Sequence, residues 1–462
     1  MPERVVVGGS FAALVAADAL SGRGERVRLL LPERGVGGGF APIRRDGRVL
    51  ELGVRLLELA YEGVGSTPPP LRDYRPALGA HRPYAPLIEA WMRGLLEGRI
   101  SEVPRPRMLF DGRLVDDLYF TTDPLALREA LDPAERAVIA RETNSARVST
   151  GSDAGVLDPR RSVELNALNA EQASLYNHGP RFHERFIAPI AEKIMAGGAR
   201  EALATLRRKL WLPLFWPATL AQACGGEEVL FRPERPFHTV APDGCGGIIE
   251  ALMARIESSP RTSVETAGAL TQVAPSEEGG IELSFAGGMS LRARDPVLGP
   301  SPGELFSAAG LDYSPTSARS VICWIEVRPE DLPEIPSLLN IVDPELAALR
   351  ISSGGRGSEG MQLLTVELRH DLPEDEIASA AIKTLRRTGL LLEGAEVHVV
   401  MSAAAKTFPL PTLQNAERFA RAHKSLTALS LEAEVVGGAC DFGADALGEQ
   451  IVQGLRAAEV LA

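Results

Sequence analysis

Cysteine is scarce in this chain: four thiols, Cys224, Cys245, Cys323 and Cys440, spread over 462 residues. None lies at a metal-ligand spacing, and scattered thiols suit a reducing compartment rather than a disulfide framework. The seven histidines offer one close pair, His178 and His183, and a five-residue spacing does not put both rings on one helix face. A resident metal is therefore not expected. Long apolar runs are missing too, since none reaches the roughly 18–20 residues of a membrane-spanning helix. Met1-Pro2-Glu3-Arg4 runs straight into Val5-Val6-Val7 without a leader-like stretch. A soluble, cytoplasmic protein is expected. Excess positive charge is also absent: 49 basic residues stand against 61 acidic ones, a net of -12. Such a surface repels phosphate backbones, which argues against a nucleic-acid partner. There is no Gly-x-Ser-x-Gly elbow and no Walker loop.

What remains is ordinary globular composition, 45% hydrophobic and 24% charged. Residues 4–31 read as one βαβ unit. A strand at Arg4–Val7 leads through Gly8-Gly9-Ser10 into an alanine-rich helix, Phe11–Leu20, and a second buried strand follows at Val27–Leu31. A dinucleotide fingerprint needs glycines for the tight turn, for approach of the pyrophosphate, and for helix-on-strand packing. In that register Gly8 makes the turn, Ser10 takes the close-approach position and Ala13 the third, with Gly9, Phe11 and Ala12 between. The acid expected at the end of the second strand falls on Leu31; Glu33, beyond Pro32, reads as a surface loop charge.

Further on, a proline-rich stretch at 66–85 reads as a crossing between domains. Residues 87–224 read as mainly helical, with segments at 86–96, 125–131, 162–175 and 182–206. Asp243-Gly244-Cys245-Gly246-Gly247 precedes a helix at 248–256. Strands are expected at 263–265, 270–273, 281–285, 318–327 and 362–368, and helices at 377–388 and 446–461. Arg350, ahead of a glycine-rich loop, reads as a solvated arginine. The 209–217 segment, with Trp211 and Trp216, reads as protected core or contact.

These motifs together resemble the flavoprotein superfamily of amine oxidases, protoporphyrinogen oxidases, phytoene desaturases and UDP-galactopyranose mutase. Arg26–Leu31 followed by Val36-Gly37-Gly38-Gly39-Phe40 is similar to its opening. Asp243–Leu252 is similar to its internal Gly-Gly helix, and Ala439-Cys440-Asp441 with Gly448–Ala458 to its closing motif and flavin-facing helix. The resemblance implies an α/β fold: a doubly wound Rossmann-like FAD-binding domain of the glutathione-reductase type, with an inserted α+β substrate domain. It implies FAD as cofactor, in a discontinuous domain of residues 1–75, 240–300 and 405–462. The substrate domain is then 76–239 and 301–404. Residues placed at the cofactor are Gly8, Gly9, Ser10, Phe11, Ala12, Ala13, Gly37, Gly38, Gly39, Phe40, Leu270, Asp441, Gln450 and Ile451; no catalytic side chain is named.

The departures from that pattern gather at the cofactor: Ser10, Leu31, Cys440, and Glu449-Gln450 in place of a Gly-Ala pair. Two functions follow. One is a flavin-dependent oxidoreductase acting on a hydrophobic small molecule. The other is a flavin-fold protein with a degraded FAD site, serving as a non-catalytic scaffold or subunit; a mutase-like use of the flavin is a further variant. A second copy of the chain or another protein are the candidate macromolecular partners.

Overall fold

The computed structural model describes residues 3–60, 64–226 and 236–461; the Met1-Pro2 lead-in lies outside them. Strand β1 (Glu3–Val7) feeds helix α1 (Phe11–Gly22), which returns to β2 (Arg26–Leu31). β1 and β2 pair in parallel, Val6 opposite Leu29. Strand β3 (Thr262–Thr266) adds beyond β2, while β4 (Val297–Leu298) and β5 (Glu434–Val435) add beyond β1. The parallel sheet thus runs β3-β2-β1-β4-β5 and draws its strands from widely separated parts of the chain.

α1 is apolar nearly all round because it is covered on every side. The sheet lies beneath it, and helices α2 (Gly244–Ser258) and α3 (Leu447–Leu461) lie against it. Their shared core includes Phe11, Leu14, Val15, Ile248, Leu252, Ile451 and Val452. The other face of the sheet carries a small antiparallel meander, 270–293, and the helices Pro302–Ala308 and Leu413–Ala428.

A second sheet has seven strands, in the order 398–409, 317–327, 362–368, 348–352, 338–341, 107–110, 113–116. It is antiparallel except where Leu338–Ile341 pairs with Arg107–Phe110. Helix Ile377–Arg387 packs on one of its faces.

Several expectations need correction. The 87–224 region is not all helix: strands Ile100–Val103, Arg107–Phe110 and Arg113–Asp116 lie inside it. It also holds an unforeseen 18-residue helix, Pro133–Thr150, capped by Asp132. The helix at 182–206 stops at Ile194, where Met195 turns to extended backbone, φ -153° and ψ 151°. The helix at 162–175 splits in two where Asn169 caps a new start at Ala170. Arg350 is not a solvated loop residue: it sits on strand Ala348–Ser352, 8% exposed, opposite Glu367. The Glu367 carboxylate, 3.3 Å from its Nε, offsets the cost of burying that charge.

Candidate dinucleotide site

The turn after β1 is built for close approach between segments of the chain itself. Gly8 has φ +104°, and a Cβ there would stand 2.5 Å from the carbonyl carbon of Gly299, which follows β4. Gly9 accepts the Gly37 N–H at 2.7 Å, so the 37–40 segment lies directly against the turn. Gly37 is buried, whereas Gly38 and Gly39 are exposed. Phe11 is fully buried, edge-on to Phe40 at 5.9 Å and to Trp91 at 6.1 Å. The Arg55 guanidinium lies 5.6 Å from the centre of the Phe40 ring.

The head of α1 is where a phosphate-binding helix offers free N–H groups. Here the chain's own atoms take those of Ala12 and Ala13. Ser10 is the N-cap, its hydroxyl accepting the Ala13 N–H at 3.3 Å. The Ala12 N–H donates to Gln450 Oε1, 3.1 Å away, in a buried bond from the first turn of α3. The Ser10 N–H points at the Gly299 carbonyl, 3.4 Å distant.

The first turns of α3 carry two more polar side chains inward. Glu449 is fully buried; its carboxylate accepts the Gly79 N–H at 2.5 Å and the Ala446 N–H at 2.9 Å. His81 Nδ1 lies 3.4 Å from the same carboxylate. Gln453 accepts the Gly437 N–H at 2.7 Å and donates to the Ala444 carbonyl at 2.8 Å. Gln450 also donates to the Asp445 carbonyl at 3.1 Å. Sequence reasoning named Gln450 and missed Gln453 and His81. The signal for Gln453 was present: it lies four residues after Glu449, on the same helix face.

The other nominated residues fall as follows. Ile451 is fully buried in the core shared with α1. Asp441 is half-buried, and burial raises its carboxyl above the ordinary range. Leu270 is 5% exposed, and its N–H donates to Glu304 Oε1 at 2.8 Å. Leu31 is 6% exposed within the apolar cluster under α1, and Glu33 is exposed.

The residues of 209–217 divide. Trp211 stacks on Phe120 at 3.8 Å, while Trp216 is 53% exposed. His178, buried, accepts the Phe215 N–H at 2.8 Å, and burial pulls its pKa down to about 3.

A family profile described as an NAD(P)-binding Rossmann-like domain matches residues 6–64. Among curated proteins, none matches this sequence. Among solved structures, a reduced UDP-galactopyranose mutase superposes with a TM-score of 0.72 at 14% identity, covering 100% of this chain and 94% of its own. A protein assigned as a protoporphyrinogen oxidase, from Exiguobacterium sp. 255-15, gives 0.63 at 16% identity, over 99% and 98% of the two chains. A putrescine oxidase gives 0.56 at 14%, over 100% and 99%.

The chain shares the fold of these three solved structures.

The resemblance in sequence implies FAD, and the head of α1 is the place to test the fit. A pyrophosphate there requires backbone N–H groups directed at it. The N–H groups of Ser10, Ala12 and Ala13 are directed at Gly299, Gln450 and Ser10 instead. A Cβ on Gly299 would lie 2.6 Å from Ser10 Oγ, so the serine hydroxyl already fills the space beside the turn. The residues present do not fit the group.

Proposed function

We propose that this chain is a flavin-fold protein with a degraded FAD site, serving as a non-catalytic scaffold or subunit. The observation that carries this reading is the bond from the Ala12 N–H to Gln450 Oε1. A helix head whose donors at Ala12 and Ala13 are satisfied internally loses existing bonds to admit a phosphate there. The degraded unit, on this reading, comprises 1–75, 240–300 and 405–462, with 76–239 and 301–404 as the inserted part. The residues nominated in it, Gly8 to Ala13, Gly37 to Phe40, Leu270, Asp441, Gln450 and Ile451, serve packing rather than cofactor contact. The test is the visible absorbance of the freshly purified protein. A colourless preparation is expected; a stoichiometric flavin band that survives desalting overturns the reading.

The second reading is a flavin-dependent oxidoreductase acting on a hydrophobic small molecule, or a mutase-like flavoenzyme. The likeness to oxidases and a mutase over nearly the full length of each favours it. It predicts the yellow preparation.

A further inference from the structure

We propose that the first turns of α3 form a latch that takes the structural place of the cofactor, and that Gln450 is the residue that keeps FAD out. This rests on the reading of a degraded FAD site and names its cause. Three side chains within five consecutive positions, Glu449, Gln450 and Gln453, accept backbone N–H groups from three separate segments, the head of α1 among them. Gly79 lies 370 residues from Glu449, Ala12 lies 438 from Gln450, and Gly437 lies 16 from Gln453. One short stretch of helix therefore gathers the start, the proline-rich segment and the end of the chain. A bound dinucleotide would do comparable work by bridging such loops with its own acceptors. All three side chains are buried: Glu449 fully, Gln453 at 2% and Gln450 at 6% exposure. The helix head is also flush against its neighbour, since a Cβ on Gly448 would stand 2.6 Å from His81 Cδ2.

The latch has a measurable signature that ordinary core packing lacks. Removing the Gln450 carboxamide leaves the Ala12 N–H without its acceptor, at the position suited to an anion. Such a variant is less stable alone and regains stability when a phosphate-bearing ligand supplies the acceptor. The experiment uses the full-length protein and the variants Gln450→Ala, Ser10→Gly with Gln450→Ala, and Gln450→Glu. Each is titrated with FAD and with ADP, and its melting temperature is recorded with and without FAD. FAD leaves the wild-type melting temperature unchanged, whereas Gln450→Ala and the double variant melt lower and are raised again by FAD. Both variants bind FAD at concentrations where the wild type shows no binding, a gain of at least about tenfold in affinity. Gln450→Glu keeps an acceptor on Ala12, adds a negative charge and gains nothing. If Gln450→Ala folds and FAD neither binds it nor restores its melting temperature, the latch is core packing and the inference falls. Should the double variant fail to fold, Gln450→Ala alone carries the test. FAD binding by the wild type would instead sink the degraded-site reading, a distinct outcome.

Discussion

At the scale of single residues, the clearest consequences come from polar groups sealed without adequate partners. Glu51 is 1% exposed, and burial raises its pKa to about 7 despite Arg55 and the Cys245 N–H, which Oε1 accepts at 2.7 Å. A carboxyl whose folded pKa lies above its unfolded value binds more protons folded than unfolded in the window between them. Its stabilising protonation is complete below about pH 4.5 and is lost as pH rises through about 7. Glu51→Gln should therefore flatten the decline in stability across that window, by on the order of 2–3 kcal/mol at neutral pH. Urea titrations at pH 5 and pH 7.5 measure this, and equal losses in both proteins would show that Glu51 does not titrate there. Thr365, fully buried in the seven-stranded sheet, leaves its hydroxyl without a hydrogen-bond partner among the described residues. Thr365→Val keeps the shape and removes the desolvated hydroxyl, so the variant should be more stable by about 1 kcal/mol. A destabilised variant would mean that the hydroxyl is in fact satisfied.

At the scale of elements, the crossing of α1 and α3 decides the geometry around the head of α1. Gly454 sits at that crossing: a Cβ there would stand 2.5 Å from the Ala12 carbonyl and 2.7 Å from Val15 Cβ. Gly454→Ala must push the helices apart, at a cost of about 1–3 kcal/mol. It should also loosen the Gln450 bond to Ala12, read as faster amide exchange at Ala12 and Ala13. Unchanged exchange would place the give elsewhere in the helix. The same crossing shows what was legible beforehand. The βαβ unit, the strand at Gln362–Leu368 and the terminal helix were readable because period and punctuation agree there. The substitution of a Gly-Ala pair by Glu449-Gln450 was readable as a departure. Its meaning was not, because the acceptors reach backbone groups hundreds of residues away and no local pattern encodes that. The strands between Ile100 and Asp116 were missed because they are short and flanked by helical sequence. Arg350 was misread because its partner, Glu367, is adjacent only across the sheet.

At the scale of the whole molecule, the fold is that of the solved structures it superposes on, while the head of α1 is bonded to the chain's own Gln450 and Ser10. Full-length superposition at 14% identity says that the architecture tolerates wide sequence change. Repairing the fingerprint position by position is correspondingly limited. Leu31→Glu would bury a carboxylate in the apolar cluster under α1, and it should destabilise the protein without creating affinity for FAD. The most direct measurement is a calorimetric titration of FAD into the purified full-length protein. With Ala12 held by Gln450 and Ala13 by Ser10, no heat of binding is expected, and flavin fluorescence should remain that of the free cofactor. Stoichiometric uptake with quenched flavin fluorescence would contradict a closed site and return the chain to the flavin-dependent oxidoreductases.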